Sequence, residues 1–163
     1  MTVCQLVYED LNAARGESPD AKLLKESLGE VFRDLCRSEA LGSARRHTLR
    51  AIDETADECR VDNWDSYGAQ AVRSGALSQA RRFARVLPPE FPPPDVGVDP
   101  DGEVSFEWDL APRQVLSVSI SQEGRLSFAA LFGEERIHGT EYLRATVPPF
   151  ILMSLKRLLR TVH

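Results

Sequence analysis

Between Val104 and Phe132 the chain alternates apolar and polar residues in three successive runs, with turn signals between them. Val104, Phe106, Trp108 and Leu110 interleave with Glu103, Ser105, Glu107 and Asp109. Leu116, Val118 and Ile120 then interleave with Ser117, Ser119 and Ser121, and Leu126, Phe128, Ala130 and Phe132 follow against Arg125 and Ser127. A period of two puts every apolar residue of an extended chain on one face, whereas on a helix these residues would scatter. Three such runs in sequence require an antiparallel meander with one face buried. Pro100-Asp101-Gly102 and Gln122-Glu123-Gly124 supply turn chemistry at the joints. Val96–Val98 before the runs and Arg136–Glu141 after them are predicted edge strands, giving four or five strands in all.

Elsewhere the apolar period is helical. Leu24, Leu28, Val31 and Leu35, widened by Phe32 and Cys36, predict an amphipathic helix over 20–41 entered through Ser18-Pro19-Asp20. After Gly42-Ser43 a second helix is predicted from about Ala44 to Val61, on the narrow stripe Leu49, Ile52, Ala56 and Cys59. A third runs to about Leu87 with Ser74 as its cap, burying Leu77, Ala80, Phe83, Ala84 and Leu87 while Arg81, Arg82 and Arg85 face outward. Pro88-Pro89 stops it. The six prolines of Pro88–Pro100 hold that stretch extended, as a strap anchored by Phe91. Thr146-Val147-Pro148-Pro149 opens a last helix reaching about Thr161, whose broad apolar face needs the sheet for cover. The expected class is α+β: N-terminal helices, then a four- or five-stranded antiparallel meander closed by a C-terminal helix. Residues 1–61 read as a helical arm and 62–163 as a helix–sheet–helix core, together one compact domain of 163 residues.

The charge balance narrows the partners. A net charge of −5 argues against a general nucleic-acid binder. The last twenty residues are nonetheless wholly cationic, with Arg144, Lys156, Arg157 and Arg160. They either offset the carbonyl end of the final helix or form a site for an anionic partner. Cys4, Cys36 and Cys59 are odd in number and far apart, so neither a zinc pair nor a redox pair is expected. No secretory leader or membrane-length apolar run is read, and cytoplasmic residence is the expectation.

Three places could carry function. Asn63-Trp64-Asp65-Ser66-Tyr67-Gly68-Ala69 concentrates two aromatics, an amide, a carboxylate and a glycine between two helices. Asn63 suits a left-handed turn, Asp65 can accept backbone amides, and Gly68 permits positive φ. Trp64 and Tyr67 can bury a ring and keep a polar tip partnered. The loop is therefore either a structural corner or a binding surface. His138 and Glu141 could form a base and its orienter, but three residues apart on a strand they face opposite ways unless Gly139 carries a bulge. No metal or cofactor is expected, because no second histidine lies near His138 and no phosphate loop or nucleophile elbow is present. The polar face of the meander is lined by Ser105, Ser117, Ser119, Ser121 and Ser127, small enough to admit close approach by the chain's own helices, a partner or a second copy.

Asn63-Trp64-Asp65 with Tyr67-Gly68-Ala69 resembles the Asn-Trp-Asp-x-Tyr-Gly-Ala motif of a family of small bacterial proteins. The likeness continues through Pro100-Asp101-Gly102-Glu103, Phe106-Glu107-Trp108, Leu116-Ser117-Val118 and His138-Gly139-Thr140-Glu141, spanning about Asp62 to Leu159. Ser66 stands where that motif commonly has glycine, which suggests a turn without a need for positive φ. The resemblance implies a single-domain cytoplasmic protein with a variable helical N-terminus, sometimes encoded in mobile or defence-related gene clusters, and carries no activity with it. A non-enzymatic interaction or regulatory protein, antitoxin-like or defence-associated, is the leading expectation. It would bind a protein partner or a second copy through Asn63, Trp64, Asp65, Tyr67, Ser117 and Ser119. The rival is a small hydrolase or transferase using His138, Glu141 and Asp65, with Tyr67 as a proton donor. A weaker third is nucleic-acid binding through Arg81, Arg82, Arg85 and the basic final helix.

Overall fold

The computed structural model describes residues 42–161. The helix expected over 20–41, together with Cys4, Cys36, Val162 and His163, lies outside the described residues. The chain divides into two compact units, Met1–Ser43 and Ala44–His163. Of the first, Gly42 and Ser43 are described, and both are helical. The second contains α1 (residues 44–58), α2 (Ser74–Val86), β1 (Asp95–Val98), β2 (Val104–Ala111), β3 (Gln114–Ile120), β4 (Arg125–Phe132), β5 (Glu135–Tyr142) and α3 (Pro149–Thr161).

The strands lie in the order of their synthesis, β1-β2-β3-β4-β5, each antiparallel to its neighbour. This is the α+β meander expected from the alternation, with all five strands present. Val104, Phe106, Trp108, Leu116, Val118, Ile120, Leu126, Phe128, Ala130 and Phe132 are all buried. Onto that face α2 brings Ala76, Ala80, Phe83 and Ala84, and α3 brings Ile151, Leu155 and Leu158. Phe83 of α2 meets Phe106 of β2 with ring centroids 5.1 Å apart. Large side chains sealed this way each contribute about 1.5–3 kcal/mol through removal from water. Ile52 of α1 joins the same core, and the Thr55 hydroxyl donates to the Val96 carbonyl of β1 at 3.4 Å. No helix among the described residues is long and apolar enough to cross a membrane.

The strap performs as its prolines imply. Phe91 is buried, and the Trp108 indole N–H donates to the Pro92 carbonyl at 2.9 Å. A proline-rich segment cannot supply its own ladder donors, so the side chain of a neighbouring strand satisfies it instead.

Three local expectations are corrected. α1 ends at residue 58 rather than near Val61, because the Cys59 carbonyl is taken by the Val72 amide at 2.9 Å. Ser74 is the first helical residue of α2 and not its cap. Arg73 holds the cap position with no side-chain bond, and its amide is tied to the Gly102 carbonyl at 3.2 Å. The turn between β1 and β2 thus sets the start of α2. Ser121 lies past the end of β3 and is buried, its hydroxyl bonded to Glu123 and accepting the Arg125 amide at 3.2 Å. It organises the β3–β4 turn and does not belong with Ser105, Ser117, Ser119 and Ser127, which are half-buried on the polar face.

Candidate functional site

The Asn63–Ala69 loop is built almost entirely from its own polar groups. One Asp65 carboxylate oxygen accepts the amides of Tyr67 at 2.8 Å and Ala69 at 3.0 Å. The Asn63 side-chain oxygen accepts the Gly68 amide at 2.9 Å, and Asp62 accepts that of Ala71 at 2.8 Å. The Trp64 indole donates to the Gln70 carbonyl at 3.0 Å. Asn63 adopts φ 62° and Gly68 φ 96°, as their residue types allow. Ser66 also takes φ 65°, so the turn does require the left-handed region there and serine tolerates it. Amides of Tyr67 and Ala69, in that order, hold the Asp65 carboxyl below its ordinary range. The expectation for Tyr67 is corrected: the ring is not buried but 93% exposed, because every polar group that shapes the loop comes from the other side chains and the backbone.

Beyond the loop, the Gln70 amide donates to the Pro100 carbonyl at 2.8 Å, which docks the segment on the β1–β2 turn. His138 and Glu141 lie on β5, at the opposite edge of the sheet. Four inter-strand steps of about 4.8 Å separate β1 from β5, on the order of 19 Å. The β4–β5 register runs unbroken, pairing Ala129 with His138 and Leu126 with Glu141. No bulge occurs at Gly139, so His138 shares the outer face with Ala129 while Glu141 faces the helices. The structure therefore does not bring Asp65, His138 and Glu141 to one point. No cluster of three or more potential metal-ligating side chains exists among the described residues.

On the sheet face away from α2 and α3, Gly97, Ser105, Ser119, Ser127 and Thr140 form one row across all five strands. Asp95, Glu107, Ser117, Ala129 and His138 form the next. The Ser119 hydroxyl donates to Asp99. Ser117 and Ser119 are therefore on one face, as expected, and Asn63, Trp64, Asp65 and Tyr67 belong to a separate loop.

Of the outward arginines on α2, Arg81 pairs with Asp53 at 2.7 Å and Arg82 donates to the Arg144 carbonyl at 2.7 Å. Arg85 is exposed and makes no such contact among the described residues.

A further site joins residues far apart in sequence. Between α3 and the β4–β5 edge runs a groove of about 700 Å³ with a floor of Phe132, Ile137, Phe150 and Met153. Lys156, Arg157 and Arg160 stand along its rim. Phe150 stacks against Phe128 at 5.1 Å yet remains partly exposed, and Met153 is 66% exposed. Arg157 pairs with Glu135 at 2.5 Å and lies over the Phe132 ring at 4.2 Å, so its position is fixed. The Arg157 hydrogen bond, aided by the charge of the same guanidinium, draws Glu135 below its ordinary carboxylate range.

No family model, curated protein or solved structure matches this chain. Its chemistry alone carries the functional reading.

The groove is an apolar surface with cationic borders at an open sheet edge. Glu135, the partner of its rim residue Arg157, is already paired. That equipment suits binding, because an apolar surface with a cationic border can cover apolar groups and hold acidic ones beside them. The cationic run of the last twenty residues was the only sequence signal pointing here. Ile137 and Phe132 gave none, since their meeting with α3 depends on how the helix crosses the sheet.

Proposed function

We propose that this protein is a non-enzymatic interaction module that binds another polypeptide on the α3–β5 side of its sheet. The observation that carries this reading is the groove: Phe150 and Met153 are exposed beside a cationic rim, where a monomeric protein gains nothing by leaving them uncovered. Exposed aromatic and methionine side chains with arginine at the border are the composition of protein contact surfaces. The rigid display of Tyr67 and the small-residue sheet face add secondary surfaces to the same role. The motif resemblance supports a regulatory, antitoxin-like or defence-associated subunit working in a bacterial cytoplasm.

The test is site-specific crosslinking in extract of the native cell. A photoreactive residue at Met153 forms a discrete adduct that excess unmodified protein competes away, while the same group at exposed Ser78 forms none. An adduct of the protein with itself identifies a homodimer. Absence of any competed adduct at Met153 removes the reading.

A further inference from the structure

Resting on that reading, we propose that the groove receives an amphipathic helix of a partner protein, laid antiparallel to α3, whose contact face is acidic in its first turns and apolar in its last. Phe150, Met153, Arg157 and Arg160 follow one another on α3 at spacings of three, four and three, so they share one face over about 15 Å of its length. Lys156 lines the same groove, one turn before Arg160. The groove is therefore graded from end to end: apolar where α3 begins, cationic where it finishes. The sheet keeps the same order. Phe150 stacks on Phe128, the β4 partner of Gly139, whereas Arg157 lies over Phe132, the partner of Glu135.

A graded surface selects a graded occupant. Residues three or four apart on a helix fall on one face, so a single face can bring carboxylates to Lys156 and Arg160 and apolar side chains to Phe150, Met153 and Ile137. An extended segment would turn every second side chain away. Lys156 and Arg160 make no ion pair among the described residues, so an arriving carboxylate meets charge that is not yet neutralised. The opposite end repels it. The helical side of β5 carries Glu135, Ile137, Gly139 and Glu141 in turn. Glu135 is held by Arg157, whereas Glu141, at the apolar end, has no ion pair among the described residues. Chain direction follows from the dipoles. Carboxylates stabilise a helix in its first turns, and an antiparallel neighbour sets its own positive end beside the negative end of α3.

Charge also decides against a second copy and a bilayer. Facing copies of α3 would bring Lys156 and Arg160 against the same cations or, in the opposite sense, against Phe150 and Met153, and neither arrangement contributes a carboxylate. A bilayer spreads anionic headgroups far beyond the groove, toward a protein of net charge −5, whereas an acidic helix end touches the cationic end alone.

Fluorescence anisotropy tests the proposal with a blocked alanine-based peptide of about 18 residues, long enough to hold a helix. One face carries glutamate, glutamate, leucine and phenylalanine in that order, at successive spacings of four, three and four. Saturable binding is expected, weakened at least tenfold by Met153→Glu and by the pair Lys156→Glu/Arg160→Glu. All three positions are exposed, and circular dichroism verifies that the variants fold. Lysines in place of both glutamates should abolish binding to the native chain and restore it to the pair variant, a rescue that lost packing would not give. A peptide of the same composition with the acidic and apolar residues interleaved along that face should bind at least tenfold more weakly, and equal affinity would overturn the graded fit. A nitroxide at the peptide's N-terminus should broaden the Arg160 amide more than that of Met153, and the reverse would overturn the antiparallel placement. Tighter binding of phosphatidylserine vesicles than of the peptide, lost in the same variants, would overturn the proposal in favour of a lipid surface. A competed adduct at Met153 without peptide binding removes this inference and leaves the interaction reading intact, whereas failure of both removes both.

Discussion

A β-carbon at position 139 would stand 2.7 Å from the Phe128 ring carbon Cζ, closer than such atoms approach. Gly139 is thus required by the ring lying across β5, not by any turn. Gly139→Ala should cost about 1–3 kcal/mol, the usual range for overpacking. In urea unfolding, adding Phe128→Leu should recover part of that loss; equal instability of the single and double variants would show that the clash is not the cause. The Asp65 loop has a different sensitivity. Its carboxyl is held below the ordinary value of 3.8, so its contribution is complete above that value and fades as pH falls through the lower folded one. Acidification should therefore release the Tyr67 and Ala69 amides, read as faster exchange of those two protons, and Asp65→Asn should flatten the response. Here the sequence was partly legible. Asn63 and Gly68 announced their left-handed backbone by residue type, whereas Ser66 did not, because serine accepts that region only when surrounding bonds enforce it.

Among the elements, β2 to β4 were readable because each presents one face to oil and the other to water, so their alternation records the fold directly. β5 was harder to read, since only Ile137 and Gly139 of its eight residues are less than exposed on the helical side. The floor of the groove was illegible, and its cationic rim alone showed in the sequence: Phe132 and Ile137 meet Phe150 and Met153 only through the packing of α3. The strap was announced by its prolines, but its partner on β2 was not. Trp108→Phe keeps most of the buried ring and removes the donor to the Pro92 carbonyl. It should cost about 1–3 kcal/mol through the stranded carbonyl. A greater loss of protection at Phe91 than at Phe83 would locate the effect in the strap, and a uniform loss would refute it.

For the whole molecule, the meander makes stability uneven in a predictable direction. Amides of β3, enclosed by strands on both sides, should exchange most slowly, and the outer amides of β5, which pair with no strand among the described residues, should exchange quickly. Slow exchange along all of β5 in the protein alone would contradict an open edge. The same layout has a further outcome during synthesis. Each strand pairs with the one made just before it, so the sheet can assemble as the chain leaves the ribosome. Its oily side cannot close on the same schedule, because Ile151, Leu155 and Leu158 are translated after every strand. For those seconds the nascent protein is a finished sheet covered only by the helices made before it, α1 and α2, with the remaining apolar face bare, and a messenger truncated at codon 148 would hold it there. That product should engage chaperones or aggregate, while the full-length chain is released cleanly.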